Sequence, residues 1–121
     1  MICIVLNKNK EIGNKGELIA TDYLIKSGYQ ILCTNYRHEK YEVDIIAEKN
    51  DILVFFEVKT RKTNKYGLPE DAIDEKKIDH ILECADYYIH EIQWMKRIRF
   101  DIISVSLSPE ISLNHIEDAF F

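Results

Sequence analysis

The sequence predicts an α/β sandwich of element order α-β-β-β-α-β, with a central mixed sheet flanked by helices. Three observations lead to it. Helical periodicity occurs twice, once near the start and once in the third quarter of the chain. Three apolar runs with strand-like alternation lie between the helices, joined by short connections. One more β-rich run follows the second helix. Short connections join antiparallel neighbours, so the three runs form a meander. A strand reached through a helix suits a parallel partner.

The first helix is expected from about Asn14 to Ser27, where Ile19, Ala20, Tyr23 and Leu24 recur at helical spacing and Gly28 stands at the C′ position. Tyr29 to Tyr36 reads as a strand with Ile31 and Cys33 on one face and Leu32 opposite. Glu42 to Ala47 reads as the next, with Glu42 and Asp44 facing one way and Val43 and Ile45 the other. Glu48-Lys49-Asn50-Asp51 supplies turn chemistry before a third strand, Ile52 to Thr60, rich in β-branched and aromatic residues. Asp74 is a plausible N-cap for the second helix, whose stripe is Ile78, Ile81, Leu82, Ala85, Tyr88 and Ile89. A final strand runs from Arg99 to Leu107. Pro109 ends it, and the apolar tail to Phe121 packs back onto the body.

The 121 residues are expected to form one domain, 1–121, with 46% hydrophobic content sufficient for one core. No stretch approaches the roughly 20 apolar residues of a membrane span. The opening Met1-Ile2-Cys3-Ile4-Val5-Leu6 lacks the flanks of a signal peptide and reads as a short strand or frayed end. Cys3, Cys33 and Cys84 are odd in number and widely spaced. They suggest buried thiols in a cytoplasmic protein rather than a disulfide framework or zinc site. The four histidines share no ligand spacing. A formal charge of −5 argues against coating nucleic acid over the whole surface. It leaves room for a local basic groove, because Val58 to Pro69 holds Lys59, Arg61, Lys62 and Lys65 and no acid.

Charge inside the sheet is the informative feature. The third strand places Leu53, Phe55, Glu57 and Lys59 on one face and Val54, Phe56 and Val58 on the other, so Glu57 and Lys59 point the same way. A hairpin across Glu48–Asp51 brings Asp44 to the same edge. Two carboxylates and an ammonium then converge, which suits metal-assisted phosphodiester cleavage. Asp44, Glu57 and the Val58 carbonyl would hold Mg²⁺ (or Mn²⁺) and leave room for water and a phosphate oxygen. Lys59 would orient the attacking water or add positive charge beside the phosphate. A Glu-x-Lys pair also occurs as a solvated strand end worth under about 1 kcal/mol; the upstream Asp44 and the surrounding element order favour the catalytic arrangement.

Asp44 followed by Glu57-Val58-Lys59 resembles the PD-(D/E)xK signature of restriction-endonuclease-like nucleases. Nearly the whole chain further resembles the functionally uncharacterised YraN family within that group. The pieces that carry this are Ile12-Gly13-Asn14-Lys15-Gly16-Glu17, Asn35-Tyr36-Arg37, Glu42-Val43-Asp44-Ile45-Ile46-Ala47, Phe56-Glu57-Val58-Lys59-Thr60-Arg61, Tyr66-Gly67-Leu68-Pro69, the Lys77 region and Arg99-Phe100-Asp101. Val43 stands where the signature has proline. The resemblance implies a restriction-endonuclease-like fold and nucleic-acid chemistry, with no substrate attached to it.

It also implies roles around the cluster. Glu17 matches the first-helix acid that many nucleases of this fold place beside the metal. Its plain alternative is a capping box, Asn14-x-x-Glu17. Lys77 is suggested as a phosphate or active-site partner, against a snorkelling lysine. Glu42 is an outer carboxylate or a solvated strand end. Arg61, Lys62, Lys65 and Lys77 are the candidate nucleic-acid contacts. Gly13 and Gly16 mark the helix start or allow close approach of the sheet or a phosphate backbone. Arg99 and Asp101 form a structural ion pair, and Tyr87, Tyr88 and Trp94 pack or cap the core.

The expected function is therefore a Mg²⁺- or Mn²⁺-dependent nuclease, acting on DNA more than RNA and selecting structure over sequence, since no base-reading helix is present. A homodimer would supply a second active site. Two other readings stay open: a nucleic-acid-binding module of the same fold without catalysis, and a protein adaptor using the tail around Ala119-Phe120-Phe121.

Overall fold

The computed structural model describes residues 11–62 and 75–120, with side chains from 15 onward in the first segment. The expected opening strand, the Asp74 cap, Lys65 and the Tyr66-Gly67 loop lie outside those residues. The elements are α1 (Glu11–Lys26), β1 (Gln30–His38), β2 (Tyr41–Lys49), β3 (Ile52–Arg61), α2 (Glu75–Ile92), β4 (Arg97–Ser106) and β5 (Ser112–Ile116). They build one five-stranded sheet of order β1-β2-β3-β4-β5.

The meander and the parallel return follow expectation: β1–β2 and β2–β3 pair antiparallel, and β4 runs parallel to β3 after the α2 crossover. The β2–β3 hairpin closes through Asn50 and Asp51, both at positive φ (53° and 63°), the backbone of a type I′ turn. Helix α1 ends in a Schellman motif. Gly28 sits at φ 95°, its N–H donates to the Ile25 carbonyl at 3.1 Å, and the Tyr29 N–H donates to the Leu24 carbonyl at 2.9 Å.

The helices cover opposite faces of the sheet. Ala20 and Leu24 of α1 pack on Ile45, Val54, Phe56, Ile103 and Val105. Ile81, Cys84, Ala85 and Tyr88 of α2 pack on Val43, Ile46, Leu53, Phe55 and Phe100. Alternation along β3 holds as expected. Along β1 and β2 it does not. Leu32 joins Cys33 on the α2 side while Ile31 packs on the α1 side, because the β1–β2 register shifts between Ile31 and Cys33. Val43 and Ile45 likewise belong to different cores rather than one face.

Three further corrections concern the ends of the chain and its cysteines. Helix α1 begins at Glu11, so Gly13 and Gly16 lie within it and do not mark its start. Gly16 is there for contact. A Cβ at this position would fall on Thr60 Oγ1 and within 2.8 Å of Thr60 Cβ, so only glycine lets α1 rest on β3. After Pro109 the tail forms a fifth strand, antiparallel to β4, with Ile102 opposite Ile116 and Ser106 opposite Ser112. Cys84 is a buried free thiol, whereas Cys33 is disulfide-bonded, which departs from the expectation of buried thiols.

Candidate functional site

The site arises where two strands part. The β2–β3 pairs end at Ile45–Phe56, while β3 stays paired with β4 as far as Arg61–Ser106. Past Phe56, the β2-facing edge of β3 therefore lacks its ladder. Asp44 replaces one rung: its Oδ2 accepts the Val58 N–H at 2.8 Å. The N–H and carbonyl of a strand residue point to the same neighbour, so the Val58 carbonyl faces the same gap.

Glu57, one residue earlier, points to the α2 side and is only 3% exposed. Burying a carboxylate is costly unless it is paired. Both of its partners reach the same oxygen: Lys59 Nζ lies 3.5 Å and Lys77 Nζ 3.0 Å from Glu57 Oε2. Lys59 arrives from the same strand face, as period-two geometry requires. Lys77 arrives from the first turns of α2, its side chain half-exposed and its ammonium on the Glu57 carboxylate.

The electrostatics are strongly negative at Asp44. Burial, and then the neighbouring Glu57 carboxylate, push its pKa well above the ordinary carboxylate range; Glu17 and Glu42 add to this, and the Val58 N–H bond opposes it. Asp44 still keeps some solvent exposure, so it is not sealed in the core. Burial works against the charged form of Lys77, but the Glu57 carboxylate outweighs it and holds this ammonium above its usual pKa.

The expected residues separate as follows. Asp44, Glu57, Lys59 and Lys77 come together, and the Val58 backbone joins them. Glu17 lies close enough to raise Asp44, and its capping-box alternative falls, since Asn14 is inside α1 and not at its N-cap. Glu42 also acts on Asp44 while Arg37 Nη2 stands 3.8 Å from its Oε2. Arg61 ends β3 beyond the cluster, its carbonyl bonded to the Leu107 N–H at 2.9 Å, and Lys62 follows it, exposed. Among the described residues, no three His, Cys, Asp or Glu side chains stand close enough to form a metal-binding group as they are.

Sequence reasoning missed two features. Asn35 lies between the Thr34–Ile45 and Tyr36–Val43 pairs, and therefore opposite Asp44; its only signal was membership of the Asn35-Tyr36-Arg37 piece. The second is a buried polar network on the α1 side. Arg99 grips Asp101 through two 2.9 Å bonds, as expected of that pair, and its Nη2 also reaches Tyr29 Oη at 2.7 Å. His115 of β5 adds Nε2 to Asp101 Oδ2 at 2.8 Å, Tyr23 Oη meets His115 Nδ1 at 2.9 Å, and the Asp118 N–H donates to Asp101 at 3.0 Å. Burial alone would raise Asp101, but the bonds from His115, Arg99 and Asp118 hold its carboxyl below the usual value.

The aromatic side chains serve packing. Tyr88 lies in the α2 core, Trp94 packs against that core with Nε1 donating to the Arg97 carbonyl at 2.9 Å, and Tyr87 stacks on His38. A cavity of about 240 Å³ between α2 and β4, lined by Leu82, Ala85, Ile89, Ile98 and Phe100 among others, sits at the opposite end of the sheet from the carboxylates. Among the described residues no helix is long and apolar enough to cross a membrane.

Two helices on opposite faces of a mixed sheet, with charge concentrated where the central hairpin parts, make this a restriction-endonuclease-like α/β sandwich. The chain belongs to the uncharacterised protein family UPF0102, the YraN family, whose profile matches residues 16–105. Similar proteins include a UPF0102 protein of Christiangramia forsetii, 40% identical over 115 residues (94% of this chain, 97% of the relative). One from Caldicellulosiruptor bescii is 43% identical over 116 residues (92% and 98%). Another from Dictyoglomus thermophilum is 48% identical over 101 residues (83% and 86%).

Proposed function

We propose that this protein is a divalent-metal-dependent phosphodiesterase of the cytoplasm that cleaves nucleic acid, DNA in preference to RNA, and selects its substrate by shape. The observation that carries this reading is the convergence of Asp44 and Glu57 at the β2–β3 split, with Lys59 and Lys77 on the same Glu57 oxygen.

The donor set fits a hard cation such as Mg²⁺ or Mn²⁺. Two carboxylates and the Val58 carbonyl are oxygen ligands, and Mg²⁺ asks for few protein ligands because it keeps several waters. The crowding that raises Asp44 comes from burial and from like charge, and a cation relieves both. When bound, the metal acidifies water and offsets negative charge on the phosphate in the transition state. The chain's own groups do the rest. Glu57 and Asp44 fix the ligand positions, and Lys59 orients the nucleophilic water or steadies the phosphate. Lys77, Arg61 and Lys62 neutralise neighbouring phosphates, as would Lys65 beyond the described residues. Glu17 and Glu42 tune the field from outside.

The test compares the wild-type chain with Asp44→Ala and Glu57→Ala on labelled duplex, single-stranded and branched DNA, and on RNA, with Mg²⁺, Mn²⁺ or EDTA. Cleavage by the wild type alone, abolished by EDTA, is the expected result. Retention of nucleic acid by all three proteins regardless of metal would identify a non-catalytic binder. No binding and no cleavage on any substrate would leave the adaptor reading.

A further inference from the structure

Asn35 departs from the ordinary strand pattern in three ways. It lies inside β1 with φ 53°, a left-handed conformation uncommon for a residue with a side chain. Its Oδ1 is buried and has no hydrogen-bond partner, alone in this among the side-chain atoms of the described residues. And the register sets it across from Asp44, between Thr34–Ile45 and Tyr36–Val43.

The departure is shared by both strands. Cys33 and Tyr36, three residues apart, both pack under α2, and so do Val43 and Ile46. Strict alternation would put residues three apart on opposite faces. β1 and β2 therefore take a matching step at Asn35 and Asp44, and the register stays continuous on either side. A step of this kind needs a residue tolerant of positive φ, and glycine would meet that need without burying an amide. An orphaned buried acceptor calls for a further explanation, and a functional role is among the recognised ones.

The charged groups acting on Asp44, which the register sets across from Asn35, narrow the choice of donor. Asp44, Glu57, Glu17 and Glu42 offer mainly acceptors, and Lys59 and Lys77 both point at Glu57. Carboxylates crowded in this way attract a hydrated cation, whose water is a hydrogen-bond donor. We propose that Asn35 is a positioning residue of this site: its Oδ1 accepts a hydrogen bond from the hydration shell of the divalent cation held at Asp44 and Glu57. The inference rests on the metal-dependent reading above. Partners of this outer kind typically change metal affinity by about 10- to 100-fold when removed.

The test titrates Mn²⁺ into EDTA-stripped full chain by calorimetry, for wild type, Asn35→Gly, Asn35→Asp and Asp44→Ala, with thermal denaturation of each in EDTA. Asn35→Gly should bind Mn²⁺ about 10- to 100-fold more weakly while its metal-free Tm stays level or rises, since glycine suits the backbone and removes the orphan. Asn35→Asp keeps an acceptor oxygen, so it should hold wild-type affinity or better while its metal-free Tm falls from added like charge. Wild-type affinity in Asn35→Gly would overturn the role of Asn35 and leave the metal site standing. If Asn35→Gly loses metal-free stability, Asn35→Asp decides: weakened binding there overturns the proposal, and retained binding supports it. No Mn²⁺ binding by the wild type would remove the metal-dependent reading itself, and Asn35's role with it.

Discussion

Asp44→Asn should make the metal-free protein more stable and the function worse. The carboxylate sits at the β2–β3 split with its pKa raised by burial and by Glu57, Glu17 and Glu42. Such a group stabilises the fold fully only below its unfolded value, and that contribution is lost as pH rises through the raised folded value. Near neutral pH the charge opposes folding. An amide of the same shape keeps an oxygen to accept the Val58 N–H, now at 2.8 Å. It gives up the charge-assisted part of that bond, about 1 kcal/mol. Against this stands the relief of burial and of like charge from Glu57, on the order of a few kcal/mol for close like charges at an effective dielectric of about 20. Lys59 and Lys77 already offset part of the Glu57 field. The net gain is about 1–2 kcal/mol, or about 4–8 °C in Tm for a chain of this size. Thermal denaturation in EDTA between pH 4 and 8 measures it. The gap between variant and wild type should be small at pH 4 and widen as pH rises. Mn²⁺ should then raise the Tm of the wild type and not of the variant. A Tm for Asp44→Asn at or below wild type at pH 8 in EDTA would refute this account of Asp44.

Three further outcomes are expected. Gly16→Ala gains about 1 kcal/mol of helix propensity but drives a methyl into Thr60. Overpacking costs about 1–3 kcal/mol, so its midpoint in urea should fall, and an unchanged midpoint would mean that α1 is free to shift. Asp101→Asn removes the charge that Arg99 and His115 surround and should cost about 3 kcal/mol at neutral pH. Because the Asp101 pKa is depressed, its stabilisation is present above the unfolded value and disappears as pH falls through the folded one, so the variant and wild type should converge in acid denaturation below about pH 4. Lys77→Met removes one of two ammoniums from Glu57; Mn²⁺ should bind a few-fold more tightly by calorimetry as a competing positive charge leaves, and weaker binding would show that Lys77 helps to build the site.

Much of this was legible in the order of residues. The runs of β-branched and aromatic residues fixed β1 to β4. Their short connections imposed the meander, and the α2 crossover imposed the parallel return. Period-two geometry alone placed Lys59 beside Glu57, and the turn at Asn50-Asp51 carried Asp44 toward the same edge. These are local rules, in which neighbours along the chain decide the outcome.

Other features depended on partners distant in sequence. β5 is a short edge strand whose own pattern is weak; β4 supplies its ladder, and His115 ties it to Asp101. Gly16 reads as a helix breaker until Thr60 is seen against it. The step at Asn35 and Asp44 overrides alternation on both strands because the ladder to β3 stops at Ile45 and the Asp44 side chain supplies the missing rung. The chain by itself determined which carboxylates and lysines could meet. Only packing decided that β2 and β3 part where they do, because a buried backbone N–H must find an acceptor and here a side chain provides it.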